Sequence, residues 1–490
     1  MKSSNPSKGV PAAPPPPPPP PAAHDDVKQN TASKSADDRA QAHLGDAVPG
    51  QGPFQFPLLG NVPQIAQKGT ISFLEDAWKK YGDVFRVNIM GPALVVCHPD
   101  GLQRVLAGNK DNYIKGDAYN GVRAVIGEGL IALEGHEWRK RRTLIQPQFH
   151  HGALLGLINI IIEQGALFFD DLKSRHPKGG VLDVHPEMVK LTLDVVVNAL
   201  FGSGLEKETD VNYESLGLAL ELVSERTNGT PIPDWVPTPS NRKFKRVMRD
   251  VEGAVYKVIE ATKARSEKQD TLLQMLLDAR DAETGEALSD VEIRNEVFTL
   301  FIAGHETTAL TLSWLFTLVT PEVIEKLQAE IADVLGDRDP TFDDIGKLIY
   351  TRQVVDEVLR LRCPVAMVAR NALADDNICG VEVKKGDMIL PFFWAAHRHP
   401  DFWERPLEFD PDRFAPEKNA QRDKWSYLPF SAGQRVCIGN TFSLYETTLL
   451  LVMMMRRFDF RLVPGQKIEP NMIATVRPSA PVQVEITWKA

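Results

Sequence analysis

The sequence predicts a mainly α protein with small β-sheets, folded as one large domain behind a proline-rich tail. Three observations carry this reading. Helical periodicity dominates from about residue 183 onward. Strand signals come only as short separate runs, and no strand–helix–strand alternation links them. Hydrophobic residues make up 43% and charged residues 25% of the 490, the balance of a globular chain.

Residues 1–48 read as a tail. "PAAPPPPPPPPAAHDDVKQNTASKSADDRA" cannot bury enough apolar surface to offset chain entropy, so disorder or a polyproline-like form is expected. It has neither the apolar run of a signal peptide nor the Arg-rich, acid-poor character of a transit peptide. The folded domain is expected over 49–490, opening at "PGQGPFQFPLLGN". A net charge of -9 excludes wholesale nucleic-acid binding. Four cysteines (Cys97, Cys363, Cys379, Cys437) without a CxxC pair make neither a disulfide framework nor a structural zinc site. A reducing, cytoplasmic setting is expected.

"GDVFRVNI" and "ALVVCH" predict a hairpin. "HPEMVKLTLDVVVNALFG" predicts a helix closed by Gly202. "VEVKKGDMILPF" and "PVQVEITW" bring strand signals back. The longest helix is expected to start at Ser289, where "SDVE" forms a capping box, and to run without proline until Pro321. It is long enough to span a membrane, but Glu306 sits near its middle, so a buried core helix is the better reading and no transmembrane anchor is expected. Its centre, "AGHETT", is costly as helix: Gly304 weakens it and two threonines bond back to carbonyls. A zinc-protease HExxH is excluded, because position 309 is alanine.

The loop "FSAGQRVCIG" puts Cys437 between two glycines, just before another helix. A metal-ligating cysteine must be a thiolate, and a helix N-terminus, a nearby arginine and close backbone all favour the anion. Gly433 and Gly439 let the chain turn and approach closely, Arg435 supplies charge that could bind a carboxylate, and Phe430 shields the sulfur. A buried structural cysteine is the bland alternative for the residue in isolation.

The full spacing F-x-x-G-x-R-x-C-x-G decides between them. Phe430, Gly433, Arg435, Cys437 and Gly439 resemble the haem-binding signature of the cytochrome P450 superfamily at every defining position, in the soluble bacterial style. "AGHET", from Ala303 to Thr307, is similar to its oxygen-activating helix motif. "EVLR", from Glu357 to Arg360, is similar to its E-x-x-R motif, and "FDPDRF" supplies the third member, Arg413. "HEWRKRR" is similar to its W-x-x-x-R haem-contact helix. The resemblance covers about 49–490.

What it implies is concrete. The cofactor is haem b, iron protoporphyrin IX, with Cys437 as its metal ligand and O2 as co-substrate. Trp138, Arg142, Arg370 and Arg435 are expected at the propionates, with Phe430, Gly433, Gly439 and Ala303 against the macrocycle. Glu306 and Thr307 are the expected proton relay, with Thr308 bonded back to the backbone, and the bend at Gly304 makes room for oxygen. Glu357, Arg360 and Arg413 form a buried structural cluster. Val125, Phe298, Phe301, Val365, Val368 and Ile473 are expected to line the substrate pocket. The segment "AAHRHP" resembles a turn usually written H-R-D-P, which makes His399 a departure and a surface residue. "RLRCPV" has Cys363 where a paired proline is usual, and the junction "LSWLFTLVTPEV" is short by comparison.

The implied function is a monooxygenase that hydroxylates or epoxidises an apolar small molecule, a fatty acid or a terpenoid. With no flavin or iron–sulfur segment following, electrons are expected from a separate ferredoxin or flavodoxin-type donor and its reductase, docked on Arg139, Lys140 and Arg141 to a monomer. Two alternatives stand beside it: a haem-thiolate peroxygenase or isomerase, against which the Glu306–Thr307 pair argues, and a haem-binding sensor without oxygenase activity.

Overall fold

A computed structural model describes residues 50–89, 91–149, 152, 154–202, 236–281, 284–472 and 474–489; the expected tail at 1–48 lies outside them. The longer helices are α1 (Thr70–Tyr81), α2 (Gly135–Ile145), α3 (Leu155–Arg175), α4 (Val184–Phe201), α5 (Pro239–Ala264), α6 (Asp290–Leu318), α7 (Pro321–Leu335), α8 (Ile349–Leu361) and α9 (Asn440–Arg457). Strands are few and short. One sheet runs in the order β1 (Val84–Asn88), β2 (Pro92–Val96), β8 (Met388–Pro391), β5 (Arg370–Ala372), β3 (Tyr113–Ile114). A second pairs β4 (Gly180–Asp183), β12 (Gln483–Trp488) and β9 (Phe458–Leu462). Two hairpins, β6 (Asp376–Ile378) with β7 (Val381–Val383) and β10 (Pro470–Met472) with β11 (Val476–Pro478), complete the strands.

The expected hairpin forms as β1 and β2, antiparallel with Val84 opposite Val96. "VEVKKGDMILPF" divides between two sheets: β7 pairs with β6, while β8 joins β2 in parallel. The α4 helix ends on Gly202 as expected, with φ +77°.

Helix α6 is the axis of the molecule. The capping box forms as predicted: the Glu292 N–H donates to Ser289 Oγ, and the Ser289 N–H donates to Glu292 Oε2 at 2.8 Å. The helix is buried on almost every side, from Ile293 to Phe316, which explains an apolar surface all round rather than a stripe. The short junction is resolved without distortion. Helix α6 stops at Leu318, and Thr320 caps α7, which leaves at 120°. No single helix among the described residues is long and apolar enough to cross a membrane.

One sequence expectation is corrected here, and Gly304 gains a packing reason. The helix runs without a break through Gly304. A Cβ at that position would meet Val196 Cγ2 at 3.1 Å, so the glycine lets α4 pack close. His399 is not at the surface: it is 1% exposed and hydrogen-bonded to Asp83 Oδ1 at 3.2 Å. His397, also buried, accepts from the Leu428 N–H at 2.8 Å and contacts Arg360 O.

Candidate functional site: a cysteine loop beneath a buried cation group

The loop from Leu428 to Gly439 follows directly from its sequence. Ser431 and Gly433 both take positive φ, +59° and +66°. A Cβ on Gly433 would lie 2.1 Å from Leu106 O, so the position demands glycine twice over. The Cys437 N–H closes the loop onto Phe430 O at 3.0 Å, and Phe430 packs half-buried against the core. Gly439 makes no such steric demand, with φ −88° and open space where a Cβ would stand. Its contribution is its N–H, directed to the Cys437 sulfur.

Cys437 is exposed by surface area, yet burial is the largest influence on its thiol and raises its pKa. The geometry reconciles the two: protein surrounds the sulfur, and one side is open. The Gly439 N–H and the charge of Arg142 pull the thiol back down. That cation is Arg142, whose Nη1 also donates to Val436 O at 3.0 Å. Arg435, expected near the sulfur, turns instead to Glu134 Oε2 at 2.7 Å and Leu133 O at 2.9 Å.

Arg435 belongs to a buried cation group. Its guanidinium stacks on Trp138 at 3.9 Å. Burial, and then the charges of Arg435 and Arg370, hold Lys115 far below the usual lysine range. Burial lowers Arg435 to about 10, with Arg370 adding to the effect. Glu134 is the one carboxylate bonded here: Arg435 donates to it, and the Lys115 backbone N–H donates to its Oε1 at 3.0 Å. A cleft of about 280 Å³ opens beside Trp138, Arg370 and Arg435. Lys115, Arg370 and Arg435 gathered here with Glu134 as the carboxylate bonded to Arg435 fit a dianionic ligand. Sequence reasoning missed Lys115; its signal is a lone cation in the apolar-aromatic run "NYIKGDAY".

Behind the loop, Glu357 is enclosed. Arg360 binds it bidentately at 2.7 and 2.9 Å, Arg413 Nε reaches it at 3.0 Å, and the Asp410 N–H at 2.9 Å. The remaining arginine donors go to carbonyls of His397, Glu404, Pro406 and Glu408. The cluster expected from the sequence is therefore assembled and satisfied.

Helix α6 departs more from expectation. Thr307 Oγ1 donates to Ala303 O at 2.8 Å, whereas Thr308 reaches across to Glu446 Oε2 at 3.1 Å, so the back-bond expected of Thr308 is made by Thr307. Burial pushes Glu446 up to about 8. It is an acid in the apolar helix that follows Cys437, and that isolation was the signal sequence reasoning passed over. Glu306 is buried and ion-paired: its Oε1 takes Arg477 Nε at 2.8 Å and Thr475 Oγ1 at 2.6 Å, from the β10–β11 hairpin.

Phe298 and Phe301 are corrected as pocket-lining residues. At about 100° per residue they lie about 140° and 160° round the helix from Ala303. Phe298 packs under the Arg294 guanidinium at 4.1 Å and Phe301 against His305 at 4.9 Å, both within the core. Thr299, on the Ala303 face, carries a buried hydroxyl with no partner among the described residues. Val125 is buried in the main core cluster; Val365 and Val368 are half-buried after α8; Ile473 lies outside the described residues. Arg141, expected on a solvated basic face, is buried against Glu296 at 2.7 Å. Arg139 and Lys140 stay exposed, paired with Asp111 and Glu286.

A helical domain that presents a cysteine loop under a buried cation group defines a thiolate-type cofactor protein. Comparison makes the class definite. The family model "Cytochrome P450" matches residues 49–486, and the chain belongs to that family. It is 32% identical to cyclooctat-9-en-7-ol 5-monooxygenase of Streptomyces melanosporofaciens, covering 85% of this chain and 90% of the relative. It is 28% identical to pentalenene oxygenase of Streptomyces avermitilis, covering 88% and 95%. The crystal structure of the cytochrome P450DA heme domain superposes with a TM-score of 0.81 at 26% identity, over 91% of this chain and 97% of that one. The protein is a cytochrome P450 monooxygenase, and its family uses haem and O2.

Proposed function

We propose that the enzyme hydroxylates or epoxidises an apolar terpenoid, with Cys437 as the residue that would hold the iron of protoporphyrin IX and electrons delivered by separate redox partners. The carrying observation is the cysteine loop, where a single exposed sulfur receives the Gly439 N–H and lies near Arg142. Those groups suit a sulfur that is negative. Arg370, Arg435, Lys115 and Trp138 would hold the propionates, which supply the counter-charge this group lacks. The bound haem supplies activation of dioxygen. Thr307 presents a hydroxyl whose own proton is engaged with Ala303 O, leaving its oxygen to accept. Glu306 lies beside the Arg477 guanidinium, which is 31% exposed, so its carboxylate is near enough to the surface to take up a proton from water and pass it on to Thr307.

The terpenoid preference rests on relatives named for oxidising cyclooctat-9-en-7-ol and pentalenene. No disulfide forms among the described cysteines, which suits a reducing cytoplasm. Exposed Arg139 and Lys140 remain for donor docking, while Arg141 does not.

Cys437→Ser tests the ligand: it should abolish the thiolate-type carbon monoxide spectrum, and persistence of that spectrum rejects the assignment. A screen of terpenoid alcohols and hydrocarbons against fatty acids, read as a spin-state shift on binding, tests the substrate. A response confined to fatty acids rejects the terpenoid reading while leaving Cys437 intact.

A further inference from the structure

Outside the haem region, one buried cluster has no role in the chemistry above. Asp83, His98 and His399 come from three distant segments, yet their ligand-type atoms all lie within 4.8 Å of one another. Exposures are 6%, 1% and 1%. Asp83 precedes β1, His98 follows β2, and His399 sits in the turn after the short helix Phe393–Ala396. The two imidazoles meet edge to face at 5.4 Å, and Phe402 closes on both.

The sequence around them repeats. Both histidines open the tripeptide His-Pro-Asp: His98-Pro99-Asp100 and His399-Pro400-Asp401. In each, Nδ1 accepts the N–H of the aspartate two residues on, at 3.1 and 3.3 Å. That capping contact explains Nδ1 but not why two such turns converge on one carboxylate. His98 Nε2 is buried without a hydrogen-bond partner among the described residues. Buried ring nitrogens are rarely left so, because each costs its full desolvation.

We propose that Asp83, His98 and His399 bind a divalent d-block ion, with zinc the best match. Two neutral imidazoles and one carboxylate are a zinc donor set, and a tetrahedral ion leaves one position for water. Ligation through Nε2 needs the proton on Nδ1, so each ring must give up its capping N–H and turn Nδ1–H toward the carboxylate of its own tripeptide, Asp100 Oδ2 at 3.7 Å and Asp401 Oδ2 at 4.0 Å. The proton moves within each ring, from Nε2 to Nδ1, so both rings stay neutral. Trp78 Nε1 donates to Asp83 Oδ1 at 2.8 Å and fixes the third ligand. Ligand atoms must close to about 3.3 Å apart around bonds of about 2.0 Å, a contraction that side-chain rotation supplies. The ion would pin the 397–401 turn, whose His397 holds Leu428 at the root of the cysteine loop.

The test uses the full-length haem protein. It is treated with EDTA, exposed to excess zinc sulfate and desalted, and zinc is counted against haem iron. About one zinc per iron should be retained, with a rise in thermal midpoint that EDTA reverses. His98→Asn and His399→Asn keep an oxygen to accept the capping N–H and remove Nε2. Each should retain at least tenfold less zinc, with an unchanged Soret band. Equal retention by wild type and the double variant overturns the proposal. If the variants do not fold, zinc-edge X-ray absorption of wild type decides alone. A first shell of two imidazoles and oxygen supports the site; a sulfur-containing shell, or no bound zinc, overturns it.

Discussion

Two buried glutamates flank the cysteine segment, and the protein treats them in opposite ways. Glu357 has four hydrogen bonds from two guanidinium groups and a backbone N–H. Glu446 has Thr308. Donors converge on the first and not on the second: burial, opposed by a single hydroxyl, pushes Glu446 up to about 8, so it holds its proton at neutral pH. The comparison teaches that a carboxylate's depth in the core does not settle its role. The first cluster staples α8 to the segment before the cysteine loop; the second leaves a neutral, proton-bearing acid between α6 and α9.

The largest effect is expected from Glu357→Gln. It leaves Arg360 and Arg413 buried with their charges unopposed, and breaking such a pair costs about 3–5 kcal/mol. Expression should yield little haem-loaded protein, measured as Soret absorbance per mole of chain. Normal haem content would mean the cluster is dispensable.

Glu446→Gln should act with the opposite sign. The folded value of about 8 lies above the ordinary 4.5, so the folded state keeps a proton that the unfolded chain releases. Wild-type stability therefore falls as pH rises from about 4.5 to 8, by up to about 1.4 kcal/mol per pH unit, and is flat above that window. Glutamine removes this slope and still accepts from Thr308. The variant should be more stable than wild type at pH 8, and the gap should narrow steadily toward pH 5.5 in denaturant titrations. Parallel curves would show that Glu446 does not titrate in the window.

How much of this was legible in the sequence follows the same division. The Glu357 cluster was readable through the family resemblance: spacing puts Glu357 and Arg360 on one helix face, but only the resemblance brought in Arg413 from its short proline-bounded turn. The cysteine loop was readable because Gly433 is forced by backbone geometry. Partners supplied by distant chain were not readable. Nothing near Glu306 announces Arg477 in a hairpin about 170 residues on, and nothing near Arg141 announces Glu296. Phe298 and Phe301 were placed by the family resemblance, and an all-apolar helix offers no polar stripe to check which side meets the pocket. His399 misled because a turn that is usually exposed is here covered by Asp83, His98 and Phe402.

The smallest expected effect sharpens the comparison most. Thr308→Val removes the one hydrogen bond to Glu446 while keeping the side-chain shape. Below pH 8 the acid is already neutral, so the loss is a neutral hydrogen bond together with the longer 3.4 Å contact to Ser443 Oγ, about 1 kcal/mol. Thr308 lowers the Glu446 pKa, so its removal should raise that value further. The pH at which stability levels off should then move upward, read from denaturant midpoints between pH 7 and 9.5. Thr307 gives the internal control: its hydroxyl donates to Ala303 O, so Thr307→Val should leave that pH unchanged. If both substitutions shift it equally, the two hydroxyls share one network with Glu446. If neither does, burial alone sets the acid's proton, and the contrast with Glu357 reduces to the number of charged neighbours.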